Sequence, residues 1–233
     1  MHLEWGADMK DELVIHWPYL LLALAMLWFP RQWLRSGGRL FKRRRIPQTS
    51  VEKLAGKGSR DPDDKSVHPG KEFGTFRNYI DLFRALAGGY GLAEFSFTAS
   101  GEDSTRVLFW IQFAVLLVAV FIQAVRIEGA KHNYFAPIFW FVGLSVGFPA
   151  HYTGLFAFAL VLAINPAIPN PRMFLTVYGL LVLVVGFLFG APAGANSLVA
   201  GFILLVPLAS LLSKRPVVIF ARKPRSASAA SSP

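Results

Sequence analysis

The stretch that decides the fold lies at residues 134–164 and reads YFAPIFWFVGLSVGFPAHYTGLFAFALVLAI, without a single Asp, Glu, Lys or Arg. As one α-helix it would be about 46 Å long at ~1.5 Å per residue, whereas the hydrocarbon core of a bilayer is about 30 Å thick. Gly147, Phe148 and Pro149 interrupt it, and a proline disfavours helix at its own position and at the residue before it. The stretch therefore predicts two short membrane-embedded helices.

Further charge-poor runs occupy residues 13–29, 107–125, 173–189 and 197–212. A helix that spans a bilayer needs roughly 20 apolar residues, with about 17 as the minimum. The 54% hydrophobic content and the mean hydropathy of +0.44 are unusual for a soluble protein. A large soluble helical protein is the alternative, but its core helices would rarely be apolar all the way round. We predict an all-α integral membrane protein with six transmembrane helices, or five if residues 134–164 cross only once as a kinked or re-entrant element.

Charge divides the chain into four parts. Residues 1–34 hold an acidic N-terminus and the first transmembrane helix, and residues 35–105 form a basic, partly disordered cytoplasmic loop. Residues 106–213 form the transmembrane bundle, and residues 214–233 are a basic flexible tail. Because acids outnumber the single Lys10 before the first run, that run lacks the basic leader of a signal peptide and is expected to remain as an anchor.

A run of basic residues without any acid follows the first span: Arg31, Arg35, Arg39, Lys42, Arg43, Arg44 and Arg45. Basic flanks stay in the cytoplasm, which places this loop on the cytoplasmic side of a cell membrane. We take that membrane to be the bacterial cytoplasmic membrane. The five residues predicted to contact anionic lipid are Arg39, Lys42, Arg43, Arg44 and Arg45, each contributing about 1 kcal/mol. A topology signal alone would explain the same cluster. Since the basic residues flank apolar spans, the net charge of +10 does not indicate nucleic-acid binding.

Residues 46–72 contain few large apolar side chains and are predicted to be a linker. An amphipathic helix is predicted near residues 73–87, where apolar side chains recur at helical spacing: Phe76, Tyr79, Ile80, Phe83 and Leu86. Polar side chains fill the opposite side of this helix: Arg77, Asn78, Asp81 and Arg84. The pattern is typical of a cytoplasmic helix that lies on the membrane surface, and a helix that packs on a partner subunit fits it equally well.

Two helix breaks share the pattern Gly-x-Pro-Ala, one at Gly147 and Pro149 and the other, 43 residues later, at Gly190 and Pro192. Two C-terminal helical hairpins related by duplication would explain the pattern, and so would chance similarity in apolar sequence. Six spans would place both chain ends outside, although the basic tail favours the cytoplasm. Five spans would return the tail to the inside.

Glu128 is the last acidic residue, so 105 positions follow without a carboxylate. This excludes a carboxylate proton relay, a paired acid–base site and a carboxylate-ligated metal from the later helices. The absence of cysteine excludes disulfides, thiolate metal sites and cysteine nucleophiles. The candidate intramembrane polar site consists of His151, Tyr152 and Asn196. His151 could carry a proton or ligate haem, or it could simply be a polar residue at a turn; no metal or cofactor is predicted.

We expect a non-catalytic accessory, scaffold or assembly subunit of a membrane protein complex, because frequent glycines in the spans permit close helix packing. Its expected partners are anionic lipids of the bilayer and other membrane protein subunits. The alternative is a small transporter or channel for a neutral or anionic solute, which would bind at the broken helices. A lipid-modifying membrane enzyme is a third possibility, for which no reacting constellation is visible.

Overall fold

The computed structural model describes residues 12–30, 67, 69–128, 131–148 and 151–219. Its α-helices are α1 (Trp17–Trp28), α2 (Pro69–Phe73), α3 (Phe76–Tyr90), α4 (Glu102–Ala124), α5 (Ile138–Gly147), α6 (His151–Ile164), α7 (Pro171–Leu188) and α8 (Ala193–Leu212). A π-helical turn (Gly91–Phe95) extends α3, and a 3-10 turn (Asn165–Ala167) extends α6. The strands are β1 (Glu12–Ile15), β2 (Phe97–Ser100), β3 (Val125–Glu128), β4 (Lys131–Phe135) and β5 (Val217–Val218). The prediction of a mostly helical chain is confirmed, and the short strands are an addition to it.

The strands define two ends of the helical bundle. At the first end β1 pairs antiparallel with β2, with Val14 opposite Thr98, and β2 leads directly into α4. At the second end β3 follows α4 and pairs antiparallel with β4, which pairs in parallel with the short β5. The two sheets therefore lie at opposite ends of α4.

Seven helices of the described part of the chain run alternately between these ends: α1, α3, α4, α5, α6, α7 and α8. α1 begins beside β1 and ends at the second end, where the Gln123 side chain of α4 reaches its last carbonyl groups. α3 begins where Tyr79 packs on Phe139 of α5, and it ends just before β2. α8 ends just before β5. The first strand and the last strand thus lie at opposite ends of the bundle.

The path of residues 76–100 differs from the prediction that residues 35–105 form one cytoplasmic loop. Residues 76–100 run along the whole bundle from the second end to the first. The helix predicted near residues 73–87 is α3, which starts at Phe76 and continues to Tyr90. The chain that joins Phe29 to Glu102 therefore starts at the second end of the bundle and finishes at the first end.

Helix α5 forms the centre of the core. Almost all of its residues are buried, including Trp140 and Phe141. α3 lies along one side of α5, and α6 and α7 pack on its other side. The outer surface of the bundle is rich in large apolar side chains, such as Leu21, Trp110 and Phe187.

Within the described residues, three helices are long and apolar enough to cross a membrane: α4, α7 and α8. α1, α5 and α6 are apolar but shorter, because the runs that predicted them also supply strand β1 and the break after Gly147. Two helical hairpins, α5–α6 and α7–α8, occupy the C-terminal half.

Candidate functional site

A buried ion pair on α3 is the centre of the candidate site. Asp81 and Arg84 are one helical turn apart, and the Arg84 Nε atom donates to Asp81 Oδ1 at 2.9 Å. The Asp81 side chain is 0% exposed and the Arg84 side chain 6% exposed. Transferring isolated charges from water into an apolar interior is costly, so such charges occur there only when they are paired and hydrogen-bonded.

Arg84 also connects α3 to two other helices. Its guanidinium donates to the Phe29 carbonyl oxygen just after α1, and its Nη2 atom donates to Gln123 Oε1 on α4 at 2.7 Å. The Gln123 amide donates in turn to the carbonyl oxygens of Leu27 and Phe29, both at 3.0 Å. We call Asp81, Arg84 and Gln123, with these two carbonyl groups, the polar clamp.

The polar clamp supplies hydrogen-bond donors to the C-terminal end of α1. The last carbonyl groups of an α-helix have no partner within the helix, and Pro30 follows directly. A cation at this position also interacts favourably with the negative end of the helix dipole. Arg84 and Gln123 thus cap α1 from two neighbouring helices, which holds the ends of α1 and α4 together.

A second buried polar contact joins α5, α6 and α7. Ser145 donates to the Val142 carbonyl at 2.9 Å, and the hydroxyl groups of Ser145 and Tyr178 lie 2.6 Å apart. Gly154 of α6 packs so closely on Ser145 that a Cβ atom added there would lie 2.5 Å from it. This contact fixes α6 and α7 against α5.

The residues of the predicted intramembrane polar site do not come together. Tyr152 is 83% exposed on the outside of α6. Asn196 is buried between α8 and α7, where its Nδ2 atom donates to the Leu183 carbonyl at 3.4 Å and a Cβ atom at Gly186 would collide with it. His151 is the first residue of α6, and its side chain lies outside the described part.

The predicted helix breaks fall between helices. Gly147 is the last residue of α5, and Gly190, with a φ of +66°, lies between α7 and α8. Pro192 immediately precedes α8. Pro149 lies outside the described residues, as do the predicted lipid contacts Arg39, Lys42, Arg43, Arg44 and Arg45.

α3 turns most of its polar side inward, although Arg77 near its start is exposed. Asn78, Asp81 and Arg84 are buried, whereas Phe76 is 76% and Phe83 63% exposed. Of the remaining predicted surface-helix residues, Tyr79, Ile80 and Leu86 are half-buried. A helix that lies on a membrane surface would turn its polar side to water. The burial of the polar side of α3 therefore differs from the prediction of a membrane-surface helix.

Sequence reasoning did not select the polar clamp. Its available signal was an Asp–Arg pair three residues apart beside small residues, together with a glutamine at the end of an apolar span. Among the described residues there is no group of three or more His, Cys, Asp or Glu side chains placed to hold a metal ion. The polar clamp supplies hydrogen-bond and ion-pair partners to buried charges and backbone carbonyl groups. It is therefore a structural site.

The chain matches no protein-family model, no curated protein and no solved structure.

Proposed function

We propose that this chain is an integral membrane protein that binds other membrane proteins, as a non-catalytic accessory, scaffold or assembly subunit. The observation that supports this proposal most is the outer face of α8. Ala193, Ser197 and Gly201 recur there every four residues, and all three are exposed. A Cβ atom added at Gly201 would meet nothing within 4 Å.

The opposite face of α8 is engaged within the chain. Asn196, Ala200 and Ile203 are buried, and Leu204 packs on Gly179 of α7. No described residue covers the exposed face, which is therefore proposed as a contact with another protein. Small residues on a membrane helix let a second helix approach closely, and such close packing drives helix association in lipid.

The same chain already uses this arrangement internally. Gly143 and Gly147 of α5 lie four residues apart and face α3, where a Cβ atom at Gly143 would lie 2.1 Å from the Leu82 carbonyl oxygen. The outer surface of α7 carries bulky side chains suited to lipid, such as Leu183 and Val184. The first half of α8 differs from α7 in presenting small side chains.

The proposed topology has seven passages, with α3 as the passage that a hydropathy pattern overlooks. Asn78, Asp81 and Arg84 face the protein, and Phe76 and Phe83 face outward, as expected of a helix in lipid, while the exposed Arg77 lies at the start of the helix near the second end. Basic residues follow both α1 and α8, and both helices finish at the second end. The second end is accordingly assigned to the cytoplasm.

The transporter alternative would need polar groups that share a cavity. Tyr152 lies on the outside of α6, and Asn196 is enclosed by Gly186 and Leu183. This separation favours the accessory role over transport.

Site-specific photo-cross-linking in native membranes tests the proposal. A photoreactive residue in place of Ser197 is expected to form an adduct with a second protein, identified by mass spectrometry. The matched control is Val184, which is 52% exposed on α7. Adducts with lipid alone at both positions would contradict the proposal, and equal protein adducts at both would contradict the assignment to α8.

A further inference from the structure

Basic side chains gather at the second end where α7 begins and α8 finishes. Arg172 lies in the first turn of α7, and Lys214 and Arg215 follow α8 directly. The Arg172 Nε atom donates to Ser210 Oγ at 3.1 Å, and its Nη2 atom donates to the Arg215 carbonyl at 3.0 Å. These bonds hold the half-buried guanidinium between the two helices.

Among the described residues, the charge of Arg172 has no acidic partner. Both of its acceptors in the described part of the chain are neutral, and no Asp or Glu follows Glu128 in the sequence. A guanidinium has five N–H donors, so the two bonds leave others available for a ligand. The cation lies between the positive end of the α7 dipole and the negative end of the α8 dipole, which act in opposite directions, so the attraction for an anion comes from its own charge and free N–H groups. The site is therefore attractive to an anion.

The surface beside these cations is apolar. Leu211 and Leu212, in the last turn of α8, are 58% and 75% exposed, and Met173 beside Arg172 is 46% exposed. A soluble anion would gain nothing from this surface. A phospholipid would place its acyl chains along it and its headgroup at the cations.

We infer that Arg172 and Lys214 form a binding site for the phosphate headgroup of an anionic phospholipid, with Leu211, Leu212 and Met173 contacting its acyl chains. Arg172 is the residue that orients the phosphate, because its planar guanidinium binds a phosphate through two parallel hydrogen bonds. Lys214, which is exposed, adds charge at the rim. The site is separate from the basic residues 39–45.

The test uses the purified full-length protein in mild detergent, titrated with phosphatidylglycerol and followed by native mass spectrometry. Lys214→Gln and Arg172→Gln are each expected to weaken binding about fivefold, the effect of one juxtamembrane charge. Arg172→Lys keeps the charge and is expected to lose less than Arg172→Gln. Arg106→Gln, on α4 near the first end, is the matched control and should leave binding unchanged.

Phosphatidylcholine and inorganic phosphate are titrated in parallel to identify the ligand. Binding of phosphatidylglycerol alone, weakened by the α7 and α8 variants, is the expected result. Equal binding of inorganic phosphate would overturn the lipid assignment, and unchanged binding in Lys214→Gln would overturn the site. Because Lys214 makes none of the described side-chain hydrogen bonds, this variant carries the test even if Arg172→Gln fails to fold. Residues 39–45 are present in every variant, so any binding by them is the same in all variants and the difference between variants reports on the proposed site.

Discussion

At the scale of single residues, we expect substitutions in the polar clamp to lower the stability of the bundle strongly. Removing one partner of a buried ion pair leaves the other charge in an apolar environment, which typically costs about 3–5 kcal/mol. Loss of Arg84 would also remove a donor from the carbonyl group of Phe29 at the end of α1. Both effects act on the same three helices.

We expect Arg84→Met to destabilise the protein by about 3–5 kcal/mol, because Asp81 stays buried without this cation. Unfolding in mild detergent can be followed by the combined fluorescence of the six tryptophans. One of them is Trp28, whose indole donates to the Val115 carbonyl at 3.1 Å. The control is Arg106→Met, since Arg106 is 66% exposed and its pair with Glu102 is worth at most about 1 kcal/mol. Equal losses in the two variants would show that the clamp does not stabilise the bundle.

Gln123 provides an independent check on the clamp. Its replacement by leucine leaves Arg84 with one acceptor fewer and removes the donor that serves Leu27 and Phe29. A buried group left without a hydrogen bond costs about 1–3 kcal/mol, so we expect a loss in that range in the same unfolding experiment. Gln112→Leu on the same helix is the comparison, because the bond from Gln112 to the Leu92 carbonyl is long, at 3.4 Å. A larger loss for Gln112→Leu would contradict the role assigned to Gln123.

At the scale of elements, the crossing of α3 and α5 depends on glycine. Gly143 and Gly147 of α5 face the backbone of α3 at Leu82 and Leu86, and Ala85 and Gly89 of α3 are buried in the same contact. Backbones this close leave no room for a side chain between them. The two helices therefore pack through their main chains, as small residues allow in membrane proteins.

We expect Gly143→Ala to destabilise the protein by about 1–3 kcal/mol, because its Cβ atom would lie 2.1 Å from the Leu82 carbonyl oxygen and α3 would have to move. Gly201→Ala is the matched control, since a Cβ atom there meets nothing within 4 Å. Alanine is the better helix former by about 1 kcal/mol, so the control should be neutral or more stable. Thermal unfolding of the two purified variants decides between them, and a Gly143→Ala protein as stable as the control would refute the tight crossing.

At the scale of the whole molecule, the proposed seven passages would remove the conflict between the topology that hydropathy predicts and the topology that charge predicts. Six spans would bring the basic tail back to the side of the acidic N-terminus. With α3 included, the chain leaves β1 at the first end and reaches β5 at the second, where α1 also finishes. Both basic segments then adjoin the same end.

Single cysteines can test this topology, since the chain has no natural thiol. Thr98 on β2 is exposed at the first end, and Ser213 is exposed after α8 at the second. In intact cells a membrane-impermeant maleimide should label a cysteine at position 98 and spare cysteines at positions 213 and 59 until the cells are permeabilised. Labelling of positions 98 and 213 from the same side would exclude the seven-passage arrangement.

The sequence by itself determined the helical class and the main helix breaks of this protein, because both depend on local chemistry. Long runs without charge predict helices. The helix ends at Gly147 and Gly190 could be predicted because they depend on residues close by in the sequence. The boundaries of α7 follow the same rule, since the Asn170 side chain accepts from the Met173 N–H at 2.8 Å and Pro171 starts the helix.

Only the tertiary structure decided which side of α3 is the inside. The hydrophobic pattern separates Phe76 and Phe83 from Asp81 and Arg84, but it does not say which set faces the protein. In water the apolar side is buried, whereas a helix in lipid gains by turning that side outward and pairing its charges within. The pairing of β1 with β2 was equally beyond the sequence, because it joins segments more than 80 residues apart whose register depends on how α1 and α4 pack.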